Sequence, residues 1–269
     1  MPSHAGSQAQ QPSSTAQPPW LSFDSGSAWP GHIPGIGFPF TSRWSVSRAK
    51  RWFDVVTAIL TLAVAALPMA IIGVLVRLTS PGPAIFVQER VGRKGRLFLI
   101  YKFRTMESSA GNAGPGLTRG GDTRITAFGR FLRKLKLDEL PQLYNVLRGD
   151  MSLVGPRPKL PRYAAIRNMP VRPGITGAAS LAFCREEDAL GRIHPALLED
   201  FYHRHIRPVK AAIDLNYMAR ATFGSDMSIM VSTFLAFLFP RPKSATLFDK
   251  KEPVRSRSEG FLPDTPSQC

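Results

Sequence analysis

Cysteine is nearly missing from this 269-residue chain: only Cys184 and the terminal Cys269 occur. That argues against a disulfide framework and fits a reducing compartment. Acid is also scarce, with 19 Asp+Glu against 35 Lys+Arg and a formal net charge of +16. So basic a chain expects an anionic partner: nucleic acid, an anionic lipid surface or a phosphorylated substrate. Residues 1–42 contain no Lys or Arg and are crowded with Pro, Gly, Ser and Gln. They hold too little apolar surface to offset the entropy of ordering, which predicts a disordered tail. They also lack the basic n-region and compact apolar core of a signal peptide. A second flexible tail is expected over 240–269. No repeat is evident, and His203 and His205, two apart, fall on different faces of a helix and read as surface residues.

Charge is absent from Val55 to Val76, a stretch long enough to cross a bilayer core as a helix. Both flanks are basic, with Arg48, Lys50 and Arg51 before it and Arg77 after it, so both ends prefer the cytoplasmic face. Pro68 sits in the middle, where it breaks the hydrogen-bond ladder. A helix that enters, bends at Pro68 and returns to the same face satisfies both facts; a kinked transmembrane helix is the alternative.

Past Pro81-Gly82-Pro83 the pattern changes. Ala84–Val87 and Leu97–Tyr101 are β-prone runs separated by Gly92-Arg93-Lys94-Gly95, which predicts a hairpin. Lys102, Phe103 and Arg104 follow, then a loop rich in Gly and Ser from Ser108 to Gly121. Phe128, Phe131, Leu132 and Leu135 then form one helical stripe, with Arg130, Arg133 and Lys134 opposite. Such a helix either lies at a membrane surface or packs on a core with its basic face solvated. Next comes the acid pair Asp138-Glu139, before Pro141 and the helical spacing of Leu140, Leu143, Tyr144 and Leu147. Proline is tolerated in a first helical turn, so Asp138 reads as an N-cap with both carboxylates at a positive helix end.

Arginines surround that pair in sequence. Arg133 precedes it; Gly155-Pro156-Arg157-Pro158 and Arg172-Pro173-Gly174-Ile175-Thr176-Gly177 are stiff loops after it, the latter with glycines that allow close backbone approach to a ligand. Arginine forks match phosphate oxygens, so several near a carboxylate pair suggest a metal–phosphate site. Mg²⁺ binds one or two carboxylates plus substrate phosphates.

Four segments taken together are more specific: KRWFDV leading into the apolar stretch, FVQERVGRKGRLFLIYKFRTM, DTRITAFGRFLRKLKLDELPQLYNVLRGDMSLVGPRP, and VRPGITG. From about Arg48 to about Leu238 the chain resembles the bacterial sugar transferases, the monotopic phosphoglycosyl transferases, in their minimal form. The resemblance implies transfer of a sugar-1-phosphate from a UDP-sugar to polyprenyl phosphate, with release of UMP. It makes Asp138 the nucleophile that forms a covalent phosphosugar intermediate and Glu139 its helper in metal or proton work. Arg133, Lys102, Arg104, Arg157 and Arg172 become phosphate or nucleotide contacts, Asp138 and Glu139 the Mg²⁺ ligands, and Pro68 the bend of a membrane hairpin. The implied setting is the bacterial inner membrane with the catalytic domain on the cytoplasmic face, no nucleic acid, and downstream glycosyltransferases as possible partners.

The expected fold is α+β and mainly helical. A re-entrant membrane helix spans 48–78, and a cytosolic catalytic domain over 79–238 carries amphipathic interfacial helices and a small β-hairpin. Two departures from the family pattern stand out. Leu67 replaces the usual Ser before the hairpin proline, and the segment after Gly177 carries the acids Glu186-Glu187. Asp214 is either a helper at the site or a helix-surface residue. A DNA-binding module and an inactive membrane-anchored partner protein are the competing functional classes; the donor sugar is not legible.

Overall fold

The computed structural model describes residues 41–107, 117–118, 121–184, 186–191 and 193–239. Both expected tails, apart from Thr41 and Ser42, and most of the loop from Ser108 to Gly121 lie outside the described residues. Ser42 belongs to the folded body: its N–H donates to the Met218 carbonyl at 2.7 Å and its hydroxyl to the Ala221 carbonyl at 2.5 Å.

The Ser47 hydroxyl accepts the Lys50 N–H at 3.0 Å and starts α1 (Arg48–Thr79). Sequence alone suggests two arms meeting at Pro68, but α1 runs 32 residues unbroken through it. Proline deletes one rung of the ladder, and the Val, Ala, Leu and Met residues around it carry the helix past. Lys50, Asp54, Ala58, Ile72 and Val76 face the body and are buried. Ile59, Leu60, Val64, Leu67, Ile71, Val74 and Leu78 are exposed. An uncovered apolar face along a helix about 48 Å long is what lipid, not water, accommodates.

Both ends of α1 are fastened to the same body. Near its start, Arg51 donates to the carbonyls of Val146 at 2.6 Å and Leu147 at 3.0 Å. At its end, Arg104 donates to the Ser80 carbonyl at 2.6 Å and the Ser80 hydroxyl at 2.9 Å.

The hairpin forms as β1 (Ile85–Val91) and β2 (Leu97–Phe103), antiparallel, with Ile85 opposite Phe103 and Val91 opposite Leu97. It is longer than the apolar runs suggest, because cross-strand pairing carries Gln88, Glu89 and Arg90 along with the apolar residues. Lys94 and Gly95 turn the chain with φ of 56° and 73°. The basic helix is α2 (Ala127–Lys134), capped by the Thr126 hydroxyl on the Gly129 N–H. Its apolar stripe divides: Leu132 is fully buried beside Phe103 and Val76, while Phe131 is exposed.

Beyond the acid pair come α3 (Gln142–Arg148), β3 (Ser152–Val154), β4 (Gly174–Thr176) and α4 (Ala178–Ala182). Short α5 (Glu186–Leu190) and α6 (Leu198–Phe201) lead through a π-helical turn, Tyr202–Ile206, into α7 (Arg207–Arg220) and α8 (Phe223–Leu238). β3 and β4 pair in parallel, Ser152 opposite Gly174 and Val154 opposite Thr176. The main core gathers Ile100, Leu143, Val146, Met151, Val154 and Met218 around Ala58 of α1. Beside it lies a closed knot of charge. Asp226 accepts from Lys50 Nζ at 2.5 Å, Trp44 Nε1 at 2.8 Å and the Tyr217 hydroxyl at 2.7 Å. Asp54 accepts from the Ser152 hydroxyl at 2.8 Å and the Leu153 N–H at 3.2 Å. The result is a mainly helical α+β fold with one small hairpin.

Candidate active site

Asp138 and Glu139 do not cap a helix as their sequence suggests. Lys136 adopts a left-handed φ of 55°, turning the chain sharply, and Leu137–Glu139 form a 3-10 turn. Pro141 then takes the N-cap position of α3, with no side-chain cap bond. The turn buries both carboxylates instead of leaving them at an exposed helix end.

The two acids have opposite surroundings. Glu139 is clamped: Arg157 Nη2 and Lys102 Nζ both reach Oε1, the latter at 3.3 Å, and Arg157 Nη1 reaches Oε2 at 3.3 Å. Burial alone would raise its pKa, but Arg157 and Lys102 outweigh burial and hold it well below the usual carboxylate range. Asp138 makes no hydrogen bond among the described residues, and its Oδ1 is buried without a partner. Burial, and then the neighbouring Glu139 charge, push its pKa up. One acid is therefore fixed as an anion, while the other carries lone pairs with nothing to bind.

The cations come from three elements. Lys102 stands near the end of β2, where burial lowers its pKa to about 8. Arg157 follows β3; the Glu139 charge raises its pKa further. Arg90 of β1 was not singled out in the sequence, although it lies inside the VQERVG motif. It donates to Gln88 Oε1 at 2.5 Å and the Pro158 carbonyl at 3.4 Å. Burial, with Arg157 nearby, lowers it to about 10.

Other sequence candidates have different partners. Arg133 is ion-paired to Glu187 of α5. Arg104 holds the end of α1, as described above. Arg172 donates from Nε to the Gly149 carbonyl at 2.8 Å, on the side of Arg51 and Arg93. The glycines of the Arg172 loop were expected to lie against a ligand, but they pack against Gly155 instead. A Cβ on Gly174 would lie 2.1 Å from the Gly155 nitrogen, and one on Gly177 2.1 Å from the Gly155 oxygen. That backbone clasp fixes the loop from which Arg157 reaches Glu139.

A carboxylate with an orphaned oxygen, next to one held by two cations, has the chemistry suited to attack on an anionic phosphorus. No group of three or more His, Cys, Asp or Glu side chains able to hold a metal occurs among the described residues. Mg²⁺ needs only one or two carboxylates when phosphate oxygens complete its shell. The free Oδ1 of Asp138 and the lightly engaged Oε2 of Glu139 fit that requirement.

Known proteins bear on this geometry. An N-acetylgalactosaminephosphotransferase from Aeromonas hydrophila that acts on undecaprenyl phosphate is 42% identical over 149 residues, 52% of this chain and 35% of that protein. A UDP-glucose:undecaprenyl-phosphate glucose-1-phosphate transferase from Caulobacter vibrioides is 44% identical over 159 residues, 55% of this chain and 58% of that protein. An undecaprenyl-phosphate galactose phosphotransferase from Salmonella typhimurium is 44% identical over 149 residues, 48% of this chain and 31% of that protein. The chain thus spans less than two thirds of the length of these relatives. Residues 45–240 match the family described as bacterial sugar transferase, which covers the hairpin, the acid pair and both arginine loops. The chain belongs to the bacterial sugar transferase family.

Proposed function

We propose that the protein moves a sugar-1-phosphate from a UDP-sugar to polyprenyl phosphate at the cytoplasmic face of the bacterial inner membrane. An Asp138 oxygen attacks the phosphorus that bears the sugar. The bond from that phosphorus to the bridging oxygen breaks, and UMP departs with the bridging oxygen and its electron pair. A phosphate oxygen of the lipid then attacks the same phosphorus, the Asp138 ester bond breaks, and a polyprenyl-diphosphate sugar leaves with the carboxylate restored. This is the first membrane step of a polysaccharide or glycoconjugate pathway, and glycosyltransferases that extend the product are the partners it implies.

The buried, unpartnered Oδ1 of Asp138 beside a cation-clamped Glu139 carries this reading. Arg157, Lys102 and Arg90 draw charge from the phosphates as the leaving group forms. Mg²⁺, held by Asp138, Glu139 and donor phosphate oxygens, would supply further neutralisation of that charge. Attachment of both ends of α1 to one body, with basic residues flanking the apolar stretch, supports a helix that dips into the bilayer and stays on one side. The relatives named above differ in sugar, so the donor is a choice within the UDP-hexose and UDP-N-acetylhexosamine class.

The test is UMP release from a panel of such donors with polyprenyl phosphate and Mg²⁺. Asp138→Asn should abolish release; unchanged turnover in that variant would overturn the assignment.

A further inference from the structure

Arg172 is a motif arginine that the dyad does not use, and it has company. Its Nε donates to the Gly149 carbonyl at 2.8 Å, just past the C-terminal end of α3. Arg51 of α1 meets the same helix end, donating to the Val146 and Leu147 carbonyls. A Cβ on Gly149 would stand 3.6 Å from Arg51 Nη2. Arg93, in the hairpin turn, donates from Nε to the Pro170 carbonyl at 2.7 Å, two residues before Arg172. Burial, and then the nearby charges of Arg51 and Arg93, lowers the pKa of Arg172. Guanidinium groups from α1, the hairpin turn and the approach to β4 thus gather in one place.

No carboxylate answers this charge among the described residues. Asp54 is the acid whose charge reaches Arg172, and its oxygens are engaged by the Ser152 hydroxyl and the Leu153 N–H. Asp150 is paired with Arg148 at 3.3 Å. The carbonyl dipoles at the end of α3 explain why cations collect here, but they use only part of the donor set. Arg93 and Arg172 each spend Nε alone, and their Nη1 and Nη2 groups make no hydrogen bond among the described residues. Paired forks of this kind match phosphate oxygens.

The height of the cluster says which phosphate. Arg51 stands four residues before Val55, where the uncharged stretch of α1 begins. Its neighbour Trp52 is 69% exposed, a ring suited to the headgroup level of a membrane. With the apolar face of α1 in the bilayer, the cluster meets the headgroups. We propose that Arg51, Arg93 and Arg172 form a binding site for the phosphate of an anionic phospholipid, separate from the dyad. The forks of Arg93 and Arg172 take the phosphate oxygens, while Arg51 adds charge and holds α3. A lipid seated there fixes the depth at which the start of α1 enters the membrane. The proposal rests on the membrane placement of α1 and on none of the transfer chemistry.

The test uses the full chain in detergent micelles, with phosphatidylglycerol as the probe and phosphatidylcholine as the reference. Native mass spectrometry counts lipid retained per protein, and thermal melting in phosphatidylcholine checks that each variant is folded. The parent should retain phosphatidylglycerol in preference to phosphatidylcholine. Arg93→Gln and Arg172→Gln should each weaken that retention about fivefold, and Arg172→Lys, which keeps the charge without the fork, should recover part of it. Should Arg172→Gln melt low, Arg93→Gln carries the comparison. Arg204→Gln, the same charge change at an exposed residue, should behave like the parent. Folded Arg93→Gln and Arg172→Gln variants that retain phosphatidylglycerol like the parent, or an equal loss in Arg204→Gln, would overturn the site. Displacement of the lipid from the parent by inorganic phosphate, or by polyprenyl phosphate at equal concentration, would overturn its assignment to a phospholipid. A protein that floats with vesicles of neither lipid would overturn the membrane placement and the site with it.

Discussion

Two groups of buried charge lie within this small body, and they are built to opposite rules. At the start of α1, Asp226 and Asp54 have both carboxylate oxygens engaged, by Lys50, Trp44, Tyr217, Ser152 and the Leu153 N–H. At the 3-10 turn, Glu139 is equally well held, but its neighbour Asp138 has a buried oxygen facing nothing. A closed set of partners is what a structural joint needs, because a buried polar atom left unmatched costs about 1–3 kcal/mol. An unmatched oxygen that persists in the field of Lys102, Lys136 and Arg133 is instead what a group kept ready for a ligand would look like. The knot fastens the apolar helix to the body; under the proposed transferase reading, the dyad does the chemistry.

Substitutions can break that contrast. Asp138→Asn should lower turnover by about 10⁴-fold or more, as removal of a nucleophile does. It should leave the melting temperature unchanged or higher, because it removes a desolvated charge. Asp226→Ala should do the reverse. Removing the carboxylate that Lys50, Trp44 and Tyr217 share, with Asp54 still 3.9 Å from Lys50, costs about 3 kcal/mol, read as a lower urea midpoint, while kcat per folded molecule stays near the parent value. If both variants lost stability alike and activity alike, the distinction between the two clusters would be void.

Smaller effects sharpen the account of the dyad. Arg157→Met removes the fork from Glu139 and should cost about 10²–10³-fold in kcat/KM for the donor, with some stability lost as well. Lys102 sets the pH dependence. Its folded pKa is depressed to about 8, so its positive charge is lost as pH rises through that value. Activity should therefore fall on the alkaline side above about pH 8, and Lys102→Arg should move that limb upward. On the acid side the raised pKa of Asp138 works the other way: the nucleophilic anion is lost as pH falls through it. The unfolded chain keeps Lys102 protonated beyond the folded value, so this residue's contribution to stability grows with pH across that interval. A melting series that moved the opposite way in the parent relative to Lys102→Arg would contradict the assignment.

Local pattern carried part of this picture, and tertiary contact carried the rest. The amphipathic stripe of α2, the hairpin and the uncharged run of α1 are periodic or compositional signals, and each appears as an element. The turn at Asp138 was misread because nothing in the residue type of Lys136 announces a left-handed backbone. The same text, LDELP, suits a capped helix start. Arg104 and Arg172 were expected to be phosphate or nucleotide contacts because they match motifs of the family that the sequence resembles. In the fold their guanidinium groups hold backbone carbonyls, a use that short sequence windows cannot distinguish. Arg90 was overlooked because it lies beyond the apolar run Ala84–Val87 that marked the strand, in the part of Ile85–Val91 that cross-strand pairing adds. The neighbourhood of Asp214 was hidden for a plainer reason: Lys159 and Asp214 lie 55 residues apart in the chain, and only packing of α7 on the loop after β3 brings them together.

The central claim, that Asp138 is the nucleophile, is met most directly by a donor-only experiment. The protein is mixed with a UDP-sugar it uses and Mg²⁺, with no polyprenyl phosphate, and both UMP and intact protein mass are followed. The expected result is a burst approaching one UMP per protein and a mass gain of one sugar phosphate. That gain should map to the peptide holding Asp138 and be absent in Asp138→Asn. UMP release that begins only when polyprenyl phosphate is added, with no change in protein mass, would contradict it.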